Sequence, residues 1–201
     1  NRRVLFSDIQ MPDQKTITGH NEVNEWVKRH FFYVISFDRK FKVEKILPAH
    51  SGEKSQRMIL NFEGVKPGEA VQVKIALSTV DVEGAKASLQ KEIPGWSFEK
   101  IRLLSKTKWN RILAKADVEG SKDQKINFYT AMYHLFIQPS NIADIDGRYR
   151  GPDDKVYLAE NGIYYSTLSL WDTYRAAHPL YTLMAPERVD GFIQTMIQHQ
   201  K

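Results

Sequence analysis

The stretch VQVKIALSTVDVEGAKASLQKE, residues 71–92, changes period in its middle. Val71, Val73, Ile75 and Leu77 alternate with Gln72, Lys74, Ala76 and Ser78, which predicts an antiparallel strand with the first set on a buried face and the second on a wetter one. From Val82 to Glu92 the pattern is that of a short helix, ended by Ile93-Pro94-Gly95. Upstream, residues 3–6, 31–37, 41–46 and 57–62 are β-branched or aromatic and are separated by Gly, Pro, Asp and Lys clusters. With residues 70–80 they make about five strands, enough for one sheet of a sandwich but hardly for two packed sheets. Because the chain opens on Asn1-Arg2-Arg3 inside strand-like sequence, the β-domain is expected to be incomplete.

Downstream the periodicity is helical. Phe98, Ile101, Trp109, Ile112 and Leu113 fall on one arc of a long helix, and Lys100, Lys108, Arg111 and Lys115 fall opposite. A second helix covers residues 121–138, with Ile126, Tyr129, Tyr133, Phe136 and Ile137 at helical spacing and Pro139 as its stop. Residues 141–168 are loop-rich, and Asn161-Gly162, between residues 156–158 and 163–167, predicts a type I′ hairpin. Two further helices are expected, one over 169–183 and one opened by Pro186 and still running at Lys201. No internal repeat or low-complexity segment is evident.

Composition removes several chemistries. The chain has 201 residues, 42% apolar and 26% charged, with no cysteine. Disulfides, thiol nucleophiles and cysteine-based metal sites are therefore absent. No run approaches the ~18 apolar residues of a membrane span, and no leader-like stretch is present. The net charge of +5 resides in residues 97–116, where six basic residues face Glu99 alone. That helix spends its aromatics on the core side, so it reads as a solvated face and no nucleic-acid partner is expected. None of the six histidines has metal-ligand spacing. Aligning Gly147 of Asp144-Ile-Asp146-Gly147 with the glycine of a calcium loop puts Ile142 and Arg150 at ligand positions, so that motif fails. The absence of a nucleophile elbow, phosphate loop or dinucleotide fingerprint argues against acyl-transfer, ATP and NAD chemistry.

What remains is an aromatic and acidic concentration. Six of the nine tyrosines lie between Tyr149 and Tyr181, together with Trp171, Asp172 and Arg175. This mixture suits a sugar, whose C–H face stacks on an aromatic ring while its hydroxyls take a carboxylate and a guanidinium as partners. The same residues also suit a helical core with a local Asp–Arg pair.

Three segments read in order are more specific: NFYTAMYH (127–134), DIDGRYRG (144–151) and YYSTLSLWDTYRAAHPL (164–180). Together they resemble family 92 of the glycoside hydrolases, calcium-dependent exo-acting α-mannosidases. Residues 73–92 and Trp109-Asn110 resemble that family's last sandwich strands and linker helices. The resemblance implies a multi-domain β + α protein: the end of an antiparallel β-sandwich over residues 1–80, linker helices over 81–120, and the first helices of an (α/α)6 barrel over 121–201. It implies release of terminal α-linked mannose from glycans by an inverting, calcium-assisted mechanism.

On the same ground Trp171 is expected to wall the mannose pocket and Asp172 to accept from sugar hydroxyls, while Arg175 either binds substrate or holds Asp172. No residue here is put forward as catalytic acid, base or calcium ligand; these are expected after Lys201. The 201 residues alone should be inactive. The remainder of the barrel is expected as further sequence or a partner chain, and the location as secreted, periplasmic or cell-surface. The rival reading is a carbohydrate-binding or structural remnant without catalysis.

Overall fold

The computed structural model describes residues 3–24, 27–47, 54, 56–166 and 169–200, with Arg3 by its backbone alone. Among these residues six strands precede Val80: β1 (Arg3–Asp13), β2 (Thr16–Asn24), β3 (Lys28–Phe37), β4 (Lys42–Leu47), β5 (Arg57–Asn61) and β6 (Val73–Ser78). Strands β1, β2, β3 and β6 form an antiparallel sheet in that order, and β4 and β5 form a separate ribbon. Strand β2 is not foreseen by the sequence reading. Its TITGHNEVN run is polar, yet Gly19 admits a close approach that any Cβ would block, 2.3 Å from the Asp8 carbonyl and from the Tyr33 hydroxyl.

The switch near Val80 is where the period change places it. Helix α1 (Val82–Glu92) starts from Asp81, whose carboxylate accepts the Gly84 N–H at 2.7 Å, and Ile93 closes it on the Leu89 carbonyl. The alternation in β6 is also real, but its faces are reversed from expectation. Val73, Ile75 and Leu77 are 51%, 55% and 60% exposed, while Ser78 is buried. Helix α1 explains this, because it lays Ala85 and Leu89 against Val34 and Ala76, and small residues let the helix axis come close. Lys74, on the same face, spans the helix end by donating to the Ile93 carbonyl at 3.0 Å.

The chain divides into two units, Asn1–Trp96 with Ala143–Leu158, and Ser97–Ile142 with Ala159–Lys201. The second is helical, with α2 (Phe98–Leu113), α3 (Lys122–Ile137), α4 (Leu170–Thr173), α5 (Ala177–Met184) and α6 (Pro186–His199). Ser97 caps α2, and Ser121 with Gln124 forms a reciprocal capping box on α3. The core is Met132, Phe136, Tyr181, Ala185 and Phe192, with Trp109, Ile112 and Leu113 of α2 packed against it. The apolar arc of α2 thus holds at its C-terminal end, while Phe98 at the start is exposed. Tyr181 donates its hydroxyl to the Leu135 and Gln138 carbonyls, the end of α3 that Pro139 leaves open. Lys115, read as part of a solvated face, instead donates to the Met184 carbonyl at 2.6 Å and pairs with Glu187 at 3.0 Å. It caps the last turn of α5 with a cation, as the helix dipole favours. No helix among the described residues is long and apolar enough to cross a membrane.

Candidate substrate site

Residues 143–158 form a small hairpin of β7 (Arg148–Arg150) and β8 (Val156–Leu158) that belongs to the sheet unit. Asn161 and Gly162 do take positive φ, 59° and 66°, but they join no hairpin. Strand β8 pairs with β7 instead, across a five-residue turn at 151–155 that its own hydrogen bonds hold. Gly151 N–H reaches the Lys155 carbonyl at 2.8 Å, and Asp153 accepts from Lys155 N–H and the Tyr157 hydroxyl. Tyr165 bridges to Asn141, while residue 167 of the expected second strand lies outside the described residues.

The polar side chains of DIDGRYRG are committed within the sheet unit. Asp144 is buried and accepts from Ser78 Oγ at 2.7 Å, in a space that exists because residue 84 is glycine. Burial pushes its carboxyl above the usual carboxylate range, and the Ser78 hydrogen bond opposes this only in part. Arg148 bridges Asp81 and Asp146, both at 2.6 Å, and the Asp81 carboxyl is held below its usual range by that guanidinium. Arg150 donates to the Thr79 and Val80 carbonyls at 2.7 and 3.1 Å. The loop is therefore bolted to the β6–α1 junction by side chains.

The segment after it is organised differently. Ser169 begins the single turn α4; its carbonyl accepts from Asp172 N–H and Thr173 N–H, and its hydroxyl donates to the Asp172 carboxylate at 2.5 Å. The expected continuous helix over 169–183 is broken after Tyr174. Pro179 lacks an N–H, and its ring would meet the Arg175 carbonyl, so the helix restarts as α5. The break leaves Trp171 89% exposed and Asp172 in solvent beside it. Arg175 does not pair with Asp172. Its Nε donates to the Tyr174 hydroxyl at 2.8 Å, and its guanidinium lies over the Tyr174 ring. Asp172 thus keeps most of its acceptor capacity for a ligand, and Trp171 keeps a bare indole face.

A cleft of about 310 Å³ lies between α5 and α6, lined by Tyr174, His178, Thr182, Val189, Ile193 and Met196 among others. The sequence reading missed His178 and Thr182 as lining residues. Their i, i+4 spacing within one helix is the signal that would have found them.

The family model described as the glycosyl hydrolase family 92 catalytic domain matches residues 84–201. The chain belongs to family 92. Its fold, an antiparallel sheet followed by helices, matches solved members. Against the family GH92 α-mannosidase BT3965 of Bacteroides thetaiotaomicron the TM-score is 0.87 at 30% identity, over 98% of this chain and 29% of that one. The same protein in complex with mannoimidazole gives the same score and identity over 28% of its length. The family GH92 inverting mannosidase BT2199 of Bacteroides thetaiotaomicron gives 0.81 at 23% identity, over 96% of this chain and 28% of that one. The 201 residues therefore span less than a third of the family 92 structures they match. Curated proteins give no match.

Among the described residues no three His, Asp or Glu side chains converge on a point a cation could take, and Asp144 and Asp146 are held by Ser78 and Arg148.

Proposed function

We propose that the complete protein removes terminal α-linked mannose from glycans with inversion of configuration, and that residues 169–175 supply one wall of the mannose pocket. The observation that carries this reading is the exposed Trp171-Asp172 pair, on the part of the chain that matches the family 92 catalytic domain. Trp171 offers a flat apolar surface for the C–H face of the sugar, and Asp172, oriented by the Ser169 hydroxyl, accepts from sugar hydroxyls. Arg175, tied to Tyr174, serves as a donor at the rim. Inversion asks for one carboxylic acid at the leaving oxygen and one carboxylate activating water on the opposite face. Both are assigned to chain beyond Lys201, as are the ligands of the calcium that the complete enzyme is proposed to need. Export to a periplasm, a cell surface or the medium goes with the same reading and is checked by fractionation.

The test uses the full-length protein with an α-linked mannobiose. Release of mannose that stops on adding a chelator and returns with calcium is the expected result. Asp172→Asn should lower turnover about a hundredfold, in line with loss of a charged hydrogen-bond partner at the reacting sugar. Unchanged kinetics in that variant remove Asp172 from the site. Calorimetric binding of the disaccharide with no turnover establishes the rival, a carbohydrate-binding remnant.

A further inference from the structure

The turn that carries Trp171 and Asp172 does little to hold itself in place. Helix α4 is four residues long with no side-chain cap, and its side-chain hydrogen bonds, Ser169 to Asp172, Thr173 to Ser169 and Arg175 to Tyr174, run inside the turn. With Trp171 89% exposed, the place of the turn is set by the chain on either side. Both sides lead to α6. Tyr165, four positions before Ser169, meets the Phe192 ring edge-on at 4.7 Å, and Tyr181, beyond the turn on α5, meets the same ring at 5.5 Å. Gly191 makes room for the first of these, since a Cβ there would lie 2.8 Å from Tyr165 Cε2. One turn further along α6, Thr195, 2% exposed, accepts the Tyr165 N–H on its hydroxyl oxygen at 3.1 Å and donates to the Gly191 carbonyl at 2.8 Å.

On the reading that residues 169–175 wall the mannose pocket, we propose that Thr195 is a positioning residue for that wall: acting through Tyr165, its hydroxyl fixes the arm of chain that leads into the turn.

Packing and hydrogen bonding do different work at this contact. Burial of apolar area has no direction, so the Tyr165 and Phe192 rings alone leave the arm free to slide along α6 at small cost. A hydrogen bond fixes distance and angle. The Thr195 proton goes to the Gly191 carbonyl, so the oxygen presents a lone pair at one height on the helix, and the Tyr165 amide is held there. Without that oxygen the amide is left unpaired beside a buried helix face, and the arm gains by shifting toward another acceptor. A shift of about 1 Å, passed on to an indole and a carboxylate with little packing of their own to resist it, is enough to spoil their contacts with a sugar. Thr195 itself is buried and acts on the sugar only through the chain it holds.

A double-mutant cycle on the full-length protein, with an α-linked mannobiose and each variant assayed where it is fully folded, tests this. Thr195→Val keeps the shape and removes the oxygen. It should lower kcat/KM about tenfold, and Thr195→Ser, which restores the acceptor, should recover most of the loss. Trp171→Ala should cost about tenfold in the wild type but no more than about threefold on top of Thr195→Val, because both act on one contact. Thr195→Ala decides the point if the Val variant does not fold. Unchanged kcat/KM in Thr195→Val, additive losses in the cycle, or a folded Thr195→Ser as poor as Thr195→Val would each overturn the positioning role while leaving the wall in place. No loss in Trp171→Ala alone would remove the wall, and the role of Thr195 with it.

Discussion

The hairpin at residues 144–151 and the turn at 169–175 are built from the same alphabet of Asp, Arg and an aromatic residue, and the fold treats them in opposite ways. In the first, Asp144 lies against Ser78, Arg148 bridges Asp81 and Asp146, Arg150 serves the Thr79 and Val80 carbonyls, and Tyr149 is buried. In the second, Trp171 and Asp172 face solvent, and Asp172 has one short contact to its own turn. Composition does not separate a clamp from a binding surface; what separates them is how much hydrogen-bonding and stacking capacity is left over after folding.

Perturbing the packed interior sets the upper end of the scale against which that contrast can be tested. Phe192 is 2% exposed and meets Tyr165, Tyr181 and His178 edge-on or tilted, so Phe192→Ala should cost about 3–5 kcal/mol in denaturant unfolding. Gly84→Ala is the sharper probe of the clamp. On helix propensity alone it would stabilise α1 by about 1 kcal/mol. Its Cβ, however, would lie 2.0 Å from Asp144 Oδ2 and 2.8 Å from Asp144 Cγ. A net loss of about 1–3 kcal/mol is expected, as for overpacking, with Asp144 displaced from Ser78. A stabilised variant would show that the hairpin is not seated on α1.

Next in size is Asp81→Asn, which keeps a capping side chain on α1 but removes the charge facing Arg148. Asp81 is substantially exposed, so its ion pair is screened and the loss should be about 1 kcal/mol or less at pH 7. The sign of its pH dependence is fixed. The folded-state pKa is lowered, chiefly by the Arg148 hydrogen bond, so the stability is fully present above the ordinary carboxylate value and is lost as pH falls through the folded one. The wild type and Asp81→Asn should therefore converge as pH falls below the ordinary carboxylate range in pH-resolved unfolding. Asp144, whose pKa is raised by burial, works in the other direction and favours the folded state at low pH.

Much of this architecture is legible in the residues. The period change at Val80, the caps at Ser97 and Ser121, and the apolar spacing from Ile126 to Ile137 announce their elements, because local chemistry decides them. Strand β2 is hidden because a polar strand is paid for by its neighbours and not by its own side chains. The faces of β6 are misread because the helix packs by fit and selects Ala76 over the larger Ile75. Trp171, Asp172 and Arg175 are singled out by residue type, but the relation among them is not legible in the sequence. The break imposed by Pro179 separates Arg175 from Asp172 and gives it to Tyr174, and sequence spacing alone favours the pair.

The smallest effect on stability should come from the most conspicuous residue. An indole that is 89% exposed buries little area on folding, so Trp171→Ala should shift unfolding by no more than about 0.5 kcal/mol in either direction. A large side chain kept in water by a helix break has its area free for a ligand. If mannose stacks there, the same substitution should raise KM and lower kcat/KM on an α-linked mannobiose by about tenfold, corresponding to the ~1.4 kcal/mol that an aromatic contact can supply. Conserved stability with reduced kcat/KM is the signature of a binding surface, and a substitution beneath the hairpin, such as Gly84→Ala on α1, should give the reverse: reduced stability. Unchanged kcat/KM for Trp171→Ala would mean that the two regions differ in exposure alone, and the mannose wall would then have to be sought in the Tyr174–His178 cleft between α5 and α6.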